Sequence, residues 1–151
     1  MADFPTLNFQ LITLLGAKVN EDVYEVILPT TSGEISVFPS HEPLVTLAKP
    51  GIISVRHKKN DPDDAMEYFA TSGSGIIEIS GQHVKILVDE ADHGDDILEA
   101  EAQKAWERAV AMRESAADQV ELEKASELVD RHAVRLKVAE LRRRSRRLLG
   151  P

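Results

Sequence analysis

Between two prolines, Pro39 and Pro43, the chain places Ser40, His41 and Glu42. An imidazole beside a carboxylate is the pairing that general acid–base or metal chemistry uses. Adjacent residues on a strand point apart, so these two meet at one ion only if the segment turns. No other histidine or carboxylate stands at ligand spacing in this stretch. The residues therefore read as a proline-stiffened loop that presents polar groups. The glycines of Thr-Ser-Gly-Ser-Gly, ending at Gly75, lack the following helix that a phosphate loop needs; a strand-like Ile-Ile-Glu-Ile follows, so a hairpin turn or bulge is expected. Asp61, Asp63 and Asp64 lack the glycine and terminal glutamate of a calcium loop and read as a solvated hairpin tip. His57, His83, His93 and His132 are scattered, with no partner suggested. No nucleophile elbow, paired-histidine zinc motif or Walker segment is present, so neither an enzyme, a metal site nor a cofactor is read.

One further cluster is basic. From Leu141 to Arg147, five arginines fall within six residues: Arg142, Arg143, Arg144, Arg146 and Arg147. The net charge of −8 hides this asymmetry. From Leu128 onward eight Lys and Arg oppose two acids, a balance of +6, which leaves −14 for the rest. A basic tail on an acidic body seeks an acidic partner. No aromatic lies nearby for base stacking, which favours an acidic protein over nucleic acid. The bland reading is a solvated helix end, helped by cations at its C-terminal dipole.

The elements that carry these residues fall into two halves. The 151 residues suffice for a real core, and no apolar run approaches a membrane span. Cysteine is absent, excluding disulfides and thiolate zinc sites. No signal peptide is read at the N-terminus. Up to about Glu90 the pattern has period two: Leu7, Phe9 and Leu11; Ile35 and Val37; Ile77 and Ile79; Val84, Ile86 and Val88. Turns are expected at Asn20–Asp22, Thr31–Gly33, Lys49–Gly51, Asn60–Asp63 and Ser80–Gly81. An antiparallel β-sandwich or barrel over 1–92 follows. After Gly94 the period becomes helical over 93–151. Asp96 with Glu99, and Asp118 with Glu121, offer capping boxes. Leu98, Ala102, Ala105, Ala109, Met112 and Ala116 form one stripe; Leu122, Ala125, Val129, His132, Leu136 and Ala139 form the other. An antiparallel helical hairpin with an alanine seam is expected, less stable than the β half and able to open.

The stretch Ser32–Gly51, with Gly33, Glu34, Pro39, His41, Pro43, Leu44, Thr46, Pro50 and Gly51, resembles the signature region of the epsilon subunit of F-type ATP synthase (delta in mitochondria). The Thr71–Leu87 strand pair and Arg135–Leu141 are similar too, and the resemblance covers nearly the whole chain. Departures include Ser36 and Ser40 in place of glycines and Ser74 as an insertion.

The resemblance implies a non-catalytic rotor subunit at the foot of the central stalk. Its β domain binds the gamma subunit and rests on the c-ring, with Glu34, Ser40, His41 and Glu42 at that contact. Its second helix can extend into the alpha/beta catalytic hexamer and block ATP hydrolysis through Arg131, Arg135, Arg142, Arg143, Arg144, Arg146 and Arg147. Some relatives bind ATP on the folded hairpin. Here Arg131 and Arg135 match that site, but Leu98 and Glu101 replace its aspartate and first-helix arginine, so ATP binding is expected to be weak or absent. The implied location is the cytoplasmic face of a bacterial inner membrane, peripheral, with contact to the membrane only through the complex. The alternatives are a free-standing adaptor whose basic helix binds nucleic acid and, with almost no residue support, a sugar- or metal-handling enzyme.

Overall fold

Alternation builds the first half. In the computed structural model, which describes residues 4–148 and side chains through Ser145, β1 (Leu7–Thr13) buries every second residue. The remaining described strands are β2 (Gly16–Val23), β3 (Glu25–Thr30), β4 (Gly33–Val37), β5 (Leu44–Ala48), β6 (Gly51–Arg56), β7 (Glu67–Ser80) and β8 (His83–His93). Both β7 and β8 are long enough to serve two layers. One layer runs β2, β1, the first part of β8, the second part of β7, and β5. The other runs through the second part of β8, the first part of β7, β6, β3 and β4. The β1–β8 pair is parallel; the others are antiparallel. Phe9, Leu11, Leu28, Ile53, Ile77 and Ile86 fill the space between the layers. Phe9 meets Phe69 edge to face, centroids 6.1 Å apart.

Glycine chemistry lets β7 bend from one layer to the other. Its register against β8 shifts between Ser72 and Gly75, and Gly73 takes φ +79. This is the bulge expected at that sequence, and Ser74 sits inside it. The Asn20–Asp22 turn, in contrast, is not formed. Those residues lie within β2, paired with Asp22↔Asn8 and Asn20↔Gln10. Their polarity reflects an edge strand with one exposed face rather than a reversal.

The chain changes layer at Tyr24. There Glu25 is buried, and its carboxylate accepts from Arg56 Nε at 2.9 Å. Arg56 also donates to Asp63 Oδ1 at 2.5 Å and to the Asp61 carbonyl. The tip expected to be merely solvated therefore clasps a half-buried arginine that pins β3 to β6.

The second half is a helical hairpin of α1 (Glu99–Glu114) and α2 (Gln119–Leu148). The second capping signal works: Asp118 Oδ1 accepts from Glu121 N at 2.8 Å, and Glu121 reaches back to Ala117 N at 2.8 Å. The first does not. Gly94–Asp96 forms a 3-10 turn capped by His93, which accepts from Asp95 N, so Leu98 precedes α1 without a side-chain cap. Ala102, Ala109, Ala125, Val129 and Ala139 are buried as the stripes require, whereas Leu98, Met112 and Leu122 are exposed. Val138, outside the stripe, is fully buried. With Val134, Leu136, Ile97 and Ala102 it packs α2 onto Ala70, Tyr68 and Ile52 of the sheet.

Candidate functional site

Proline and one left-handed residue shape the loop after β4. Phe38 to His41 form a turn closed by His41 N donating to the Phe38 carbonyl at 3.2 Å, with Pro39 and then Ser40 at its centre. Ser40 takes φ +70, a conformation glycine adopts without cost. His41 Nδ1 lies 2.6 Å from the Glu42 carbonyl, a contact made within the loop. Among the described residues the imidazole has no carboxylate ion-pair partner. Glu34 lies at the far end of β4 from this loop. The strand joins them: β4 is a sheet edge on which Glu34 and Ser36 are exposed, and in the loop after it Phe38, Ser40 and Glu42 are exposed. Ser40 is also within 3.5 Å of Gln82 in the β7–β8 turn.

A second surface lies on the outer face of the first layer. Leu47, Ile76 and Leu87 stand at paired positions across β5, β7 and β8, and Leu87 continues to Ile12 on β1. Leu47 is 58% exposed, and Leu14 and Leu15 in the β1–β2 turn are 81% and 95% exposed. Ile12, Leu14, Leu47, Ile76 and Leu87 line a groove of about 440 Å³. An outer antiparallel face is ordinarily polar. An apolar row with an apolar turn at its end marks a partner surface. Sequence inspection missed it, although Leu44–Leu47 and Ile76–Ile77 carry apolar residues on both alternations.

The arginines of α2 are spent on this chain's own acids. Arg131 pairs with Glu90, Arg135 with Asp92 and Arg142 with Asp95, while Arg143 meets Glu99 at 3.2 Å. Arg144 bridges Glu140 within the helix at 2.6 Å. The side chains of Arg146 and Arg147 lie outside the described residues. Three of these arginines thus latch α2 to the end of β8 and the turn after it, and Arg143 ties α2 to α1. Beside this latch, Glu101, Lys104, Arg108, Arg131, His132 and Arg135 line a cavity of about 520 Å³ between the helices. Burial pushes the His132 imidazole below its usual range, and the charges of Arg131, Arg135 and Arg108 push it the same way. Its Nδ1 is buried without a hydrogen-bond partner among the described residues.

Two histidines read as partnerless are not. His57 Nε2 lies 3.2 Å from Glu67 Oε1 and 4.0 Å from Glu21 Oε1. His93 Nε2 lies 2.7 Å from Glu67 Oε2. Burial, then the neighbouring Glu67, raises the Glu21 carboxyl above the usual carboxylate range.

The sequence model described as "ATP synthase, Delta/Epsilon chain, beta-sandwich domain" matches residues 6–94. The ATP synthase epsilon chain of Staphylococcus aureus (strain JH9) is 34% identical over 138 residues, covering 91% of this chain and 98% of that protein. The chain belongs to the ATP synthase delta/epsilon family. That membership places it among the structural and regulatory subunits of the ATP synthase, part of a membrane-associated complex. No helix among the described residues is long and apolar enough to cross a membrane. The fold agrees with the family. A chain in the structure of the Euglena gracilis mitochondrial ATP synthase OSCP/F1/c-ring assembly matches with a TM-score of 0.75 at 21% identity, covering 92% of this chain and 84% of that one. One in the central stalk/c-ring of the Tetrahymena thermophila mitochondrial enzyme matches with a TM-score of 0.56 at 12% identity, covering 88% and 96%.

Proposed function

We propose that the chain is a non-catalytic rotor subunit of the central stalk, with a β half that docks and a helical half that regulates. Residues 1–92 form the docking module and 93–151 the regulatory one. The observation that carries this reading is the exposed apolar row through Leu47, Ile76 and Leu87, ending at Leu14 and Leu15. It suits a permanent apolar partner, which in this family is the gamma subunit. Glu34, Ser40, His41 and Glu42, along the polar edge at β4, suit the polar loops of a c-ring. The location that goes with these partners is peripheral, on the cytoplasmic face of a bacterial inner membrane.

Regulation uses the latch. When the hairpin leaves the β domain, Arg131, Arg135 and Arg142 lose Glu90, Asp92 and Asp95; together with Arg143 and Arg144, whose partners lie on the helices themselves, they face acidic loops of the alpha/beta hexamer. Arg146 and Arg147 extend the same basic run. ATP hydrolysis is then blocked. Lys104 and Arg108 supply cations at the inter-helix cavity that were not foreseen from sequence. However, Arg131 and Arg135 are engaged elsewhere and Glu101 opposes phosphate, so ATP binding there is weak or absent.

The test is ATP hydrolysis by the assembled enzyme carrying a chain truncated after Leu128. Faster hydrolysis than with the full chain supports inhibition by α2; an unchanged rate contradicts it.

A further inference from the structure

The end of the sandwich opposite the bulge brings together three groups that alternation alone does not pair. Glu21 comes from β2 in the first layer. His57, just after β6, and Glu67, at the start of β7, come from the second. One ligand-type atom from each lies within 4.8 Å of the other two. The Oε1 atoms of both glutamates are buried, and neither has a hydrogen-bond partner among the described residues. Two carboxylate oxygens turned inward, with His57 Nε2 within 4.0 Å of both, form an electrostatic deficit that a cation fills.

The surroundings fix the orientation. Asp95 N donates to His93 Nδ1 at 2.9 Å, so that nitrogen is an acceptor. The ring proton therefore sits on His93 Nε2, which donates to Glu67 Oε2 at 2.7 Å. Glu67 is held by one oxygen and aims the other at His57 and Glu21. A histidine that orients a ligating carboxylate in this way is a recurring support of metal sites.

We propose that Glu21 Oε1, His57 Nε2 and Glu67 Oε1 form a site for one divalent transition-metal ion of the zinc type. Ligands about 2.1 Å from a tetrahedral ion lie roughly 3.4 Å from one another. The separations from His57 Nε2, 3.2 Å and 4.0 Å, bracket that spacing. One imidazole and two carboxylates suit zinc better than calcium, which prefers an all-oxygen shell of six or more. Side chains exposed by 25–37% leave the ion a path in and a fourth position for water. Its two charges balance the two carboxylates. Because the ligands come from both layers, the bound ion staples the sandwich next to the corner at Tyr24. His93 is a positioning residue.

The test is titration of the metal-stripped full chain with zinc chloride at about pH 7.5, read by calorimetry and by thermal melting. One equivalent binds, and saturation raises the melting temperature. His57→Gln and Glu67→Gln each weaken binding more than tenfold and abolish the thermal shift. His93→Gln weakens binding by about 10–100-fold. His41→Gln and His83→Gln change nothing. Circular dichroism confirms that each variant is folded. The proposal is overturned if the wild-type chain binds no zinc, or if His57→Gln and Glu67→Gln bind it as the wild type does. Loss of binding in His41→Gln or His83→Gln, with His57→Gln unaffected, places the metal elsewhere and overturns it equally.

Discussion

The two halves of this chain are held together by different means. Between the β layers lie phenylalanine, leucine and isoleucine side chains with almost no exposure. Between the helices lie Ala102, Ala109, Ala125 and Val129. At about 25 cal/mol per Å² removed from water, an alanine contributes a fraction of what a leucine does. The helices are kept in place mainly by Val138 and its neighbours on the sheet and by partly exposed ion pairs. This difference is what the proposed release of the hairpin rests on: a large apolar core in one half, a small seam and partly exposed ion pairs in the other.

The largest test of this contrast is in the β half. Phe9→Ala empties a fully buried site and is expected to cost about 3–5 kcal/mol, lowering the denaturation midpoint of the whole chain. Ala109→Gly in the seam is expected to cost about 1 kcal/mol. Its loss should appear as faster hydrogen exchange in α1 and α2 with the strands unchanged. Equal protection of helices and strands in the parent chain would remove the contrast.

Smaller effects act on the latch. Arg131→Gln with Arg135→Gln removes two ion pairs whose members are 25–52% exposed. The expected loss is about 1 kcal/mol for the pair of changes, an approximately fivefold shift towards the open hairpin. High salt should produce a similar opening in the parent chain and little further in the variant. A fluorescence distance between the β domain and α2 reports both.

His132 adds a pH dependence of known sign. Its pKa is depressed while it lies between α1 and α2, so the separated helices bind the proton more readily than the paired ones. Pairing of the two helices is therefore strongest above the ordinary histidine value of about 6.5 and weakens as pH falls through it. His132→Gln should flatten that dependence between neutral and mildly acidic pH; an unchanged profile assigns the effect to another group. Smallest of all, Ser40→Gly relieves the left-handed residue of the β4 loop and is expected to stabilise the β half by up to about 1 kcal/mol, read from denaturant unfolding.

What the residues disclosed in advance follows the same division. Leu7, Phe9, Leu11, Ile77 and Ile79 announced buried strand faces because one side of each strand is core. The glycines at 73 and 75 announced a bulge because Gly73 adopts a positive φ there. Asn20–Asp22 misled because an edge strand tolerates the polar residues of a turn. Asp96 misled because His93 captures the neighbouring amide first, a competition that spacing does not express. The basic tail was visible as charge, but Glu90 and Asp92 as its partners were not, since they lie more than forty residues away along the chain. Glu21, His57 and Glu67 were invisible for the same reason: only the stacking of two layers brings them together.

The most direct measurement of the central claim is binding of purified gamma subunit by the full chain and by a chain ending near Asp92. The account holds that the β half alone docks, so both should bind, with affinities within about threefold, a difference of under 1 kcal/mol. Substituting Leu47 and Ile76 by aspartate should abolish both interactions. Binding by the full chain but not by a folded β half would move the docking surface to the helices. Binding by neither would contradict the account.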